Sequence, residues 1–293
     1  MRSRDRSGSG GTAGAGRAAA PRGRGLRAWL AGTALLAAGC GLPAPQDEEV
    51  PASPAAEDAP AAVARAETFY RQACRSCHGA LGDGQGPRAE RFDPAPTDLT
   101  RGIYQCRSTA SGVLPLDRDL YDTITLGVPG TSMPAYAELF CAQARMDLVQ
   151  YIKRFSPRFA KEAIDPKDVL EIPAAPVAAL VASVESDARG AAAYRKRCAR
   201  CHGDEGAGDG PAAEEVDEAG RRTRATDLRR GTFRWGAQGR DIYRSVFTGL
   251  DGTPMRSFAD SIPEEDRWSL VRFVQSLRRP PSVLGRILAG SAE

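Results

Sequence analysis

The chain has 293 residues, long enough for two domains of ordinary size, and 42% of them are apolar, so packed cores are within reach. The formal charge of +3 overstates its basicity, because seven Arg and one Asp precede Cys40 and the remainder holds 33 basic and 36 acidic residues. That balance argues against nucleic acid as a partner, and the absence of a long apolar run beyond the N-terminus argues against an internal membrane-spanning helix.

Residues 1–39 read as an export signal. Arg22, Arg24 and Arg27 form a positive region, and residues 28–38 (AWLAGTALLAA) form an apolar core too short for a stable anchor. The string Ala37-Ala38-Gly39-Cys40 resembles a bacterial lipobox, with Leu36 one place from where Leu is usual. The resemblance implies cleavage before Cys40, lipidation of its thiol, and a protein anchored to a membrane and facing the bacterial periplasm. An ordinary signal peptide with an incidental cysteine is the alternative. Gly41 is not the Asp that holds lipoproteins at the inner membrane in enteric bacteria, which points to the outer membrane. Residues 40–61, rich in Ala, Pro and acids, are expected to form a disordered tether.

A short helical stretch follows over residues 62–74 and runs into Cys-Arg-Ser-Cys-His, Cys74 to His78. A second helical stretch, residues 188–198, runs into Cys-Ala-Arg-Cys-His, Cys198 to His202, and these two motifs contain both histidines of the chain. Cys-x-x-Cys-His is the attachment pattern of c-type haem, in which two thiols bond to the porphyrin edge and the imidazole binds iron. Two covalently bound haems c are therefore expected, through Cys74, Cys77, Cys198 and Cys201, with His78 and His202 as axial ligands. An aromatic content of 6% suits small domains whose cores are partly cofactor.

The repeat extends well past the motifs. Residues 79–87 (GALGDGQGP) match 203–211 (GDEGAGDGP) at a shift of 124, and Asp98-Leu99 meets Asp227-Leu228. Asp119, Leu120 and Tyr121 open the same middle helix as Asp241, Ile242 and Tyr243, and residues 127–136 (GVPGTSMPAY) meet 249–258 (GLDGTPMRSF). Leu148, Val149, Ile152 and Phe155 meet Leu270, Val271, Val274 and Leu277, at the spacing of an amphipathic final helix. The domains are set at 62–160 and 188–282, with a linker at 161–187 and a tail at 283–293.

Each iron needs a second axial ligand, and no histidine is left. Of the four methionines, Met133 and Met255 align with each other, whereas Met146 falls opposite Trp268 and reads as a packing residue. His/Met ligation is expected in both domains, which favours Fe(II) and raises the potential. Pro87 and Pro211, nine residues beyond the histidines, are candidate carbonyl acceptors for the free imidazole N–H, or simply stiffen the loop. Trp235, aligned with Cys106, is a candidate propionate donor or a packing residue. Of the seven cysteines, Cys106 and Cys141 remain after haem and lipid are served. A disulfide between them suits an oxidising compartment; two free thiols, or Cys106 as an axial ligand, are the alternatives.

Each unit resembles a class I c-type cytochrome. The resemblance rests on Cys-x-x-Cys-His near the start, on the Gly190 to Tyr194 spacing (Ala66 to Tyr70 in the first unit, which lacks the Gly), and on Gly-Thr-x-Met before the last helix. It spans 62–156 and 188–278. It implies an all-α protein of two tandem class I cytochrome c domains, each enclosing one haem, with terminal helices crossing near Tyr70/Tyr151 and Tyr194/Phe273. The function expected is a non-catalytic carrier of single electrons between a membrane donor and an oxidase or reductase. The alternative is a fixed cytochrome subunit of a quinol-oxidising or terminal oxidase complex. A sulfur-oxidising dihaem enzyme would need Cys106 at iron, a peroxidase would need more histidines, and a sensor would need a labile ligand. Arg221, Arg222, Arg224, Arg229, Arg230, Arg234, Arg240 and Arg244 form a cluster expected either to be solvated or to dock an acidic partner.

Overall fold

The computed structural model describes residues 49–55, 59–176 and 183–278. The expected export signal, the lipidation site Cys40 and the tail at 283–293 lie outside the described residues. What is described is mostly helical. In the first unit α1 (Ala59–Phe69) passes through a π-helical turn (Tyr70–Cys74) into α2 (Arg75–His78), followed by α3 (Asp117–Leu126), α4 (Ala142–Lys153) and the short α5 (Arg158–Lys161). The second unit repeats the order with α6 (Val184–Arg197), α7 (Ala199–His202), α8 (Gly239–Thr248) and α9 (Glu264–Ser276). Among the described residues no helix is long and apolar enough to cross a membrane.

In each unit the first and last long helices cross. Tyr70 meets Tyr151 at 5.3 Å between ring centroids, and Tyr194 meets Phe273 at 5.1 Å, at the places the resemblance implied. Such tilted aromatic pairs add roughly 0.5–1.5 kcal/mol beyond the area they bury. Around the first crossing lie Leu120, Tyr121, Met146, Leu148 and Val149, all buried. Around the second lie Ile242, Tyr243, Phe247, Leu270 and Val271. Met146 is fully buried in the first core, which is the packing role its place in the repeat suggested. The middle helices are capped alike: Asp119 accepts from the Leu116 N–H at 2.9 Å, and Asp241 from the Gln238 N–H at 3.2 Å. A carboxylate there serves both the unpaired donors and the positive end of the helix.

Three regions differ from the sequence reading. Residues 49–55 fall within the expected disordered tether, yet Val50 packs against the first core and Gln150 donates to the Ser53 hydroxyl at 3.1 Å. The expected linker also does more than connect. Leu170 N–H donates to Ser108 O and Ala110 N–H to Asp168 O, both at 2.7 Å, while Leu170 and Ile172 pack on the second core. A two-stranded antiparallel hairpin, β1 (Glu214–Val216) with β2 (Arg222–Arg224), was not foreseen. It occupies the stretch between Pro211 and Asp227, which is longer than the one between Pro87 and Asp98 in the first unit. The extra chain closes its backbone hydrogen bonds on itself.

Candidate functional site

Each unit holds a cleft lined by its Cys-x-x-Cys-His segment and by its methionine. The first, about 1200 Å³ of open space, is lined by Cys74, Cys77, His78 and Met133, with Tyr104 and Leu148 among the rest. The second, about 840 Å³, is lined by Cys198, Cys201, His202 and Met255, with Arg197 and Arg234. Before haem is attached, burial pushes the Cys74 and Cys198 thiols up to about 12.

Both histidines are fixed in the same way. His78 Nδ1 lies 3.0 Å from the Thr97 carbonyl, and His202 Nδ1 lies 2.9 Å from the Thr226 carbonyl. These carbonyls, rather than those of Pro87 and Pro211, are the acceptors. The reason is the path of the chain: Leu99 N–H donates to Gly82 O, and Leu228 N–H to Gly206 O, at 2.7 and 2.8 Å, which folds each later strand of loop back over its imidazole. Gly84 and Gly208 permit this close passage, since a Cβ at either would strike the carbonyl oxygen of Pro96 or Ala225. Pro87 and Pro211 are left further along the turn. An Nδ1–H given to a carbonyl leaves Nε2 as the free lone pair, the arrangement a metal-binding imidazole requires. Burial also lowers the basicity of both rings and so favours the neutral ligand form.

The methionine loops are equally alike. Thr131 Oγ1 donates to Val128 O at 2.8 Å and accepts from Met133 N–H at 3.0 Å. Thr253 Oγ1 donates to Leu250 O at 2.6 Å and accepts from Met255 N–H at 3.2 Å. Val128 and Leu250 N–H then close on the carbonyls of Met133 and Met255. The two threonines, present in the repeated Gly-Thr-x-Met string, were not singled out as site residues, and their recurrence at the same offset was the available signal. Tyr70 and Tyr194 hydroxyls tie the start of each glycine-rich loop by donating to Gly79 O and Gly203 O.

Haem fits these residues on grounds independent of the motifs. Tyr104 OH, on the wall of the first cleft, is buried with no hydrogen-bond partner among the described residues; Arg197 Nε, on a residue lining the second, is in the same state. Buried donors without acceptors are costly in a native fold, and propionate carboxylates are acceptors of the right charge. Trp235, expected to be either a propionate donor or a packing residue, is not among the residues lining the second cleft; its Nε1 is buried without a partner among the described residues, and its ring carries the Arg244 guanidinium at 4.3 Å.

Cys106 and Cys141 are free thiols, not a disulfide. Cys141 precedes α4 and packs on the first core. Cys106 faces the second unit, its Sγ 3.8 Å from the Arg234 carbonyl. It lines the first cleft, and burial pushes its thiol up to about 12, unlike the thiolate that binds metal well. Most of the clustered arginines have partners within the domain or line its cleft. Arg221 pairs with Asp217 at 2.8 Å, Arg229 with Asp227 at 2.8 Å, Arg244 stacks on Trp235, and Arg224 and Arg234 line the second cleft.

Two helical units in tandem, each with a covalent-attachment motif and with a carbonyl-fixed histidine and a methionine lining one cleft, define a c-type cytochrome with two haem sites. A family model described as cytochrome c oxidase, cbb3-type, subunit III matches residues 61–152 and again 185–274, more than half of the chain. The protein belongs to this family of c-type cytochromes and binds two covalently attached haems c in tandem. Among solved structures it is similar to a chain of the reducing HAO-like protein complex of Kuenenia stuttgartiensis, with 32% identity and a TM-score of 0.69 over 79% of this chain and 100% of that one. No curated protein matches it.

Proposed function

We propose that the protein passes single electrons between redox protein partners through two His/Met-ligated haems, with His78 and Met133 at one iron and His202 and Met255 at the other. The observation that carries this reading is the duplication of one cleft, lined in each unit by a carbonyl-bonded imidazole of lowered basicity and a methionine thioether. The haem supplies the reversible Fe(III)/Fe(II) couple. The chain's own residues orient the imidazole through the Thr97 and Thr226 carbonyls, hold the thioethers through Thr131 and Thr253, and surround the macrocycle with apolar side chains. Gln105 lines both clefts, so the two sites are separated by a thin wall of protein. The test is an optical spectrum of the reduced, haem-loaded protein before and after carbon monoxide. An unchanged spectrum is expected, since tight ligands close both irons; a shift at either haem overturns the carrier reading and reopens catalysis.

The setting belongs to the same proposal: export to a bacterial periplasm and attachment to a membrane, the outer one by preference, through lipid on Cys40. Cys40→Ser should release the protein from the membrane fraction, and retention there would defeat this part. A specific observation favours a second reading, a fixed subunit of a larger redox assembly. The similar Kuenenia chain is part of a complex, and the family description names an oxidase subunit. Co-purification of one stoichiometric partner after mild detergent extraction would select that reading over a free carrier.

A further inference from the structure

Arg107 belongs to the first domain, yet it is fully buried and spends most of its hydrogen-bonding capacity on the second. Its Nη2 donates to Thr248 O and to Asp251 Oδ1, both at 2.7 Å, and its Nη1 donates to Gly249 O at 3.3 Å. Asp251 is held from the same side, accepting Ser111 Oγ at 2.7 Å and Gly112 N–H at 2.8 Å. Thr248 ends α8, Gly249 opens the loop, and Asp251 lies within it, four positions before Met255.

The loop is stiff enough to transmit this grip. Gly249 sits so close beneath the end of the loop that a Cβ there would strike Ser257 N and the Arg256 carbonyl carbon. Leu250 N–H donates to Met255 O at 2.8 Å. Among the described residues the sister loop receives nothing comparable. Pro129 stands where Asp251 stands, and across the interface Arg234 Nη1 reaches Gly130 O at a long 3.5 Å.

We infer that Arg107, with Asp251 as its anchor, is a positioning residue for the Met255 iron ligand, so that the first domain sets the thioether bond at the second haem. The inference rests on the His/Met reading of the second site. Charge-assisted hydrogen bonds to a buried guanidinium are among the stronger ones in proteins, and removing them lets the loop swing its methionine away from iron without unfolding either core.

The test uses the full, haem-loaded chain and compares Arg107→Leu and Asp251→Ala with Met255→Leu and Met133→Leu as references. Three signals are read: the thioether-to-Fe(III) charge-transfer band, the two midpoint potentials, and carbon monoxide binding. Arg107→Leu should move all three toward the Met255→Leu pattern. The band should weaken toward that of a single haem, one potential should fall, and carbon monoxide binding at one haem should rise by about tenfold or more. Asp251→Ala should do the same to a smaller degree, and it decides the matter if Arg107→Leu does not fold. The inference is overturned if both variants keep the wild-type band, potentials and indifference to carbon monoxide, or if the change falls on the haem that Met133→Leu identifies. Failure of the ligand reading itself would look different: Met255→Leu would leave the band intact, and the inference would fall with it.

Discussion

At the scale of single residues, the two sites are governed by groups that satisfy two neighbours at once. Thr253 Oγ1 both donates to Leu250 O and accepts from Met255 N–H, and Thr131 does the same in the first loop. Thr253→Val keeps the shape and removes both bonds. It should lower the stability of the second domain by about 1–2 kcal/mol in denaturant titration and pull its midpoint potential down, leaving the first haem untouched. Equal potentials in mutant and wild type would show that the hydroxyl only stiffens a turn. Cys106 carries the opposite lesson. Counting cysteines suggested a bridge to Cys141, but a count says nothing about direction, and packing turns the Cys106 thiol toward the second domain.

At the scale of elements, the helix crossings were legible in advance and the loops only partly so. Aromatic residues at equivalent places on the first and last helices meet because helical spacing brings them onto one face. Gly190 shows what that crossing demands, for a Cβ there would overlap the carbonyl oxygen of Ser269 on α9. Gly190→Ala should destabilise the second domain by about 1–3 kcal/mol, measurable as a lower midpoint of chemical unfolding for the haem-loaded protein. The first domain holds Ala66 at the equivalent place, fully buried, so the reverse change, Ala66→Gly, should cost about 1 kcal/mol through helix propensity alone. An unaltered midpoint in Gly190→Ala would mean that α6 and α9 can separate without loss. The acceptors of the imidazole N–H groups were misplaced because Pro87 and Pro211 are near in sequence, whereas Thr97 and Thr226 are brought in by the backbone bonds of Leu99 and Leu228. The hairpin at β1–β2 was missed because its residues are charged and carry no alternating apolar pattern.

At the scale of the whole molecule, the repeat is joined by more than a linker. Arg101 pairs with Glu218 at 3.1 Å, Ile103 packs beside Gly252, and Arg107 crosses into the second unit. With Gln105 on the wall of both clefts, electrons should exchange between the haems inside one chain. After photoreduction of one haem, the equilibration rate should be independent of protein concentration and of ionic strength; a rate that rises with concentration would place the exchange between molecules instead. Of the arginines expected either to be solvated or to dock an acidic partner, Arg221 pairs with Asp217, Arg229 with Asp227, Arg244 stacks on Trp235, and Arg224 and Arg234 line the second cleft. Spacing along the chain could not reveal those pairings, since each depends on where a turn directs a side chain.

The sequence by itself determined that there are two units, that each takes a covalent haem, and which histidine and methionine recur at matching places in both. These are properties of covalent attachment and of residue type, and they recur at fixed offsets in a repeat, so no coordinates are needed to read them. Only the tertiary structure decided what holds those ligands: the threonine carbonyls over the imidazoles, the hydroxyls inside the methionine loops, the free state of Cys106, and the arginine that joins the first domain to the second methionine loop. Hydrogen bonds and buried charges are satisfied by whatever polar atom the packed chain brings within about 3 Å, and that proximity exists only after the helices have crossed.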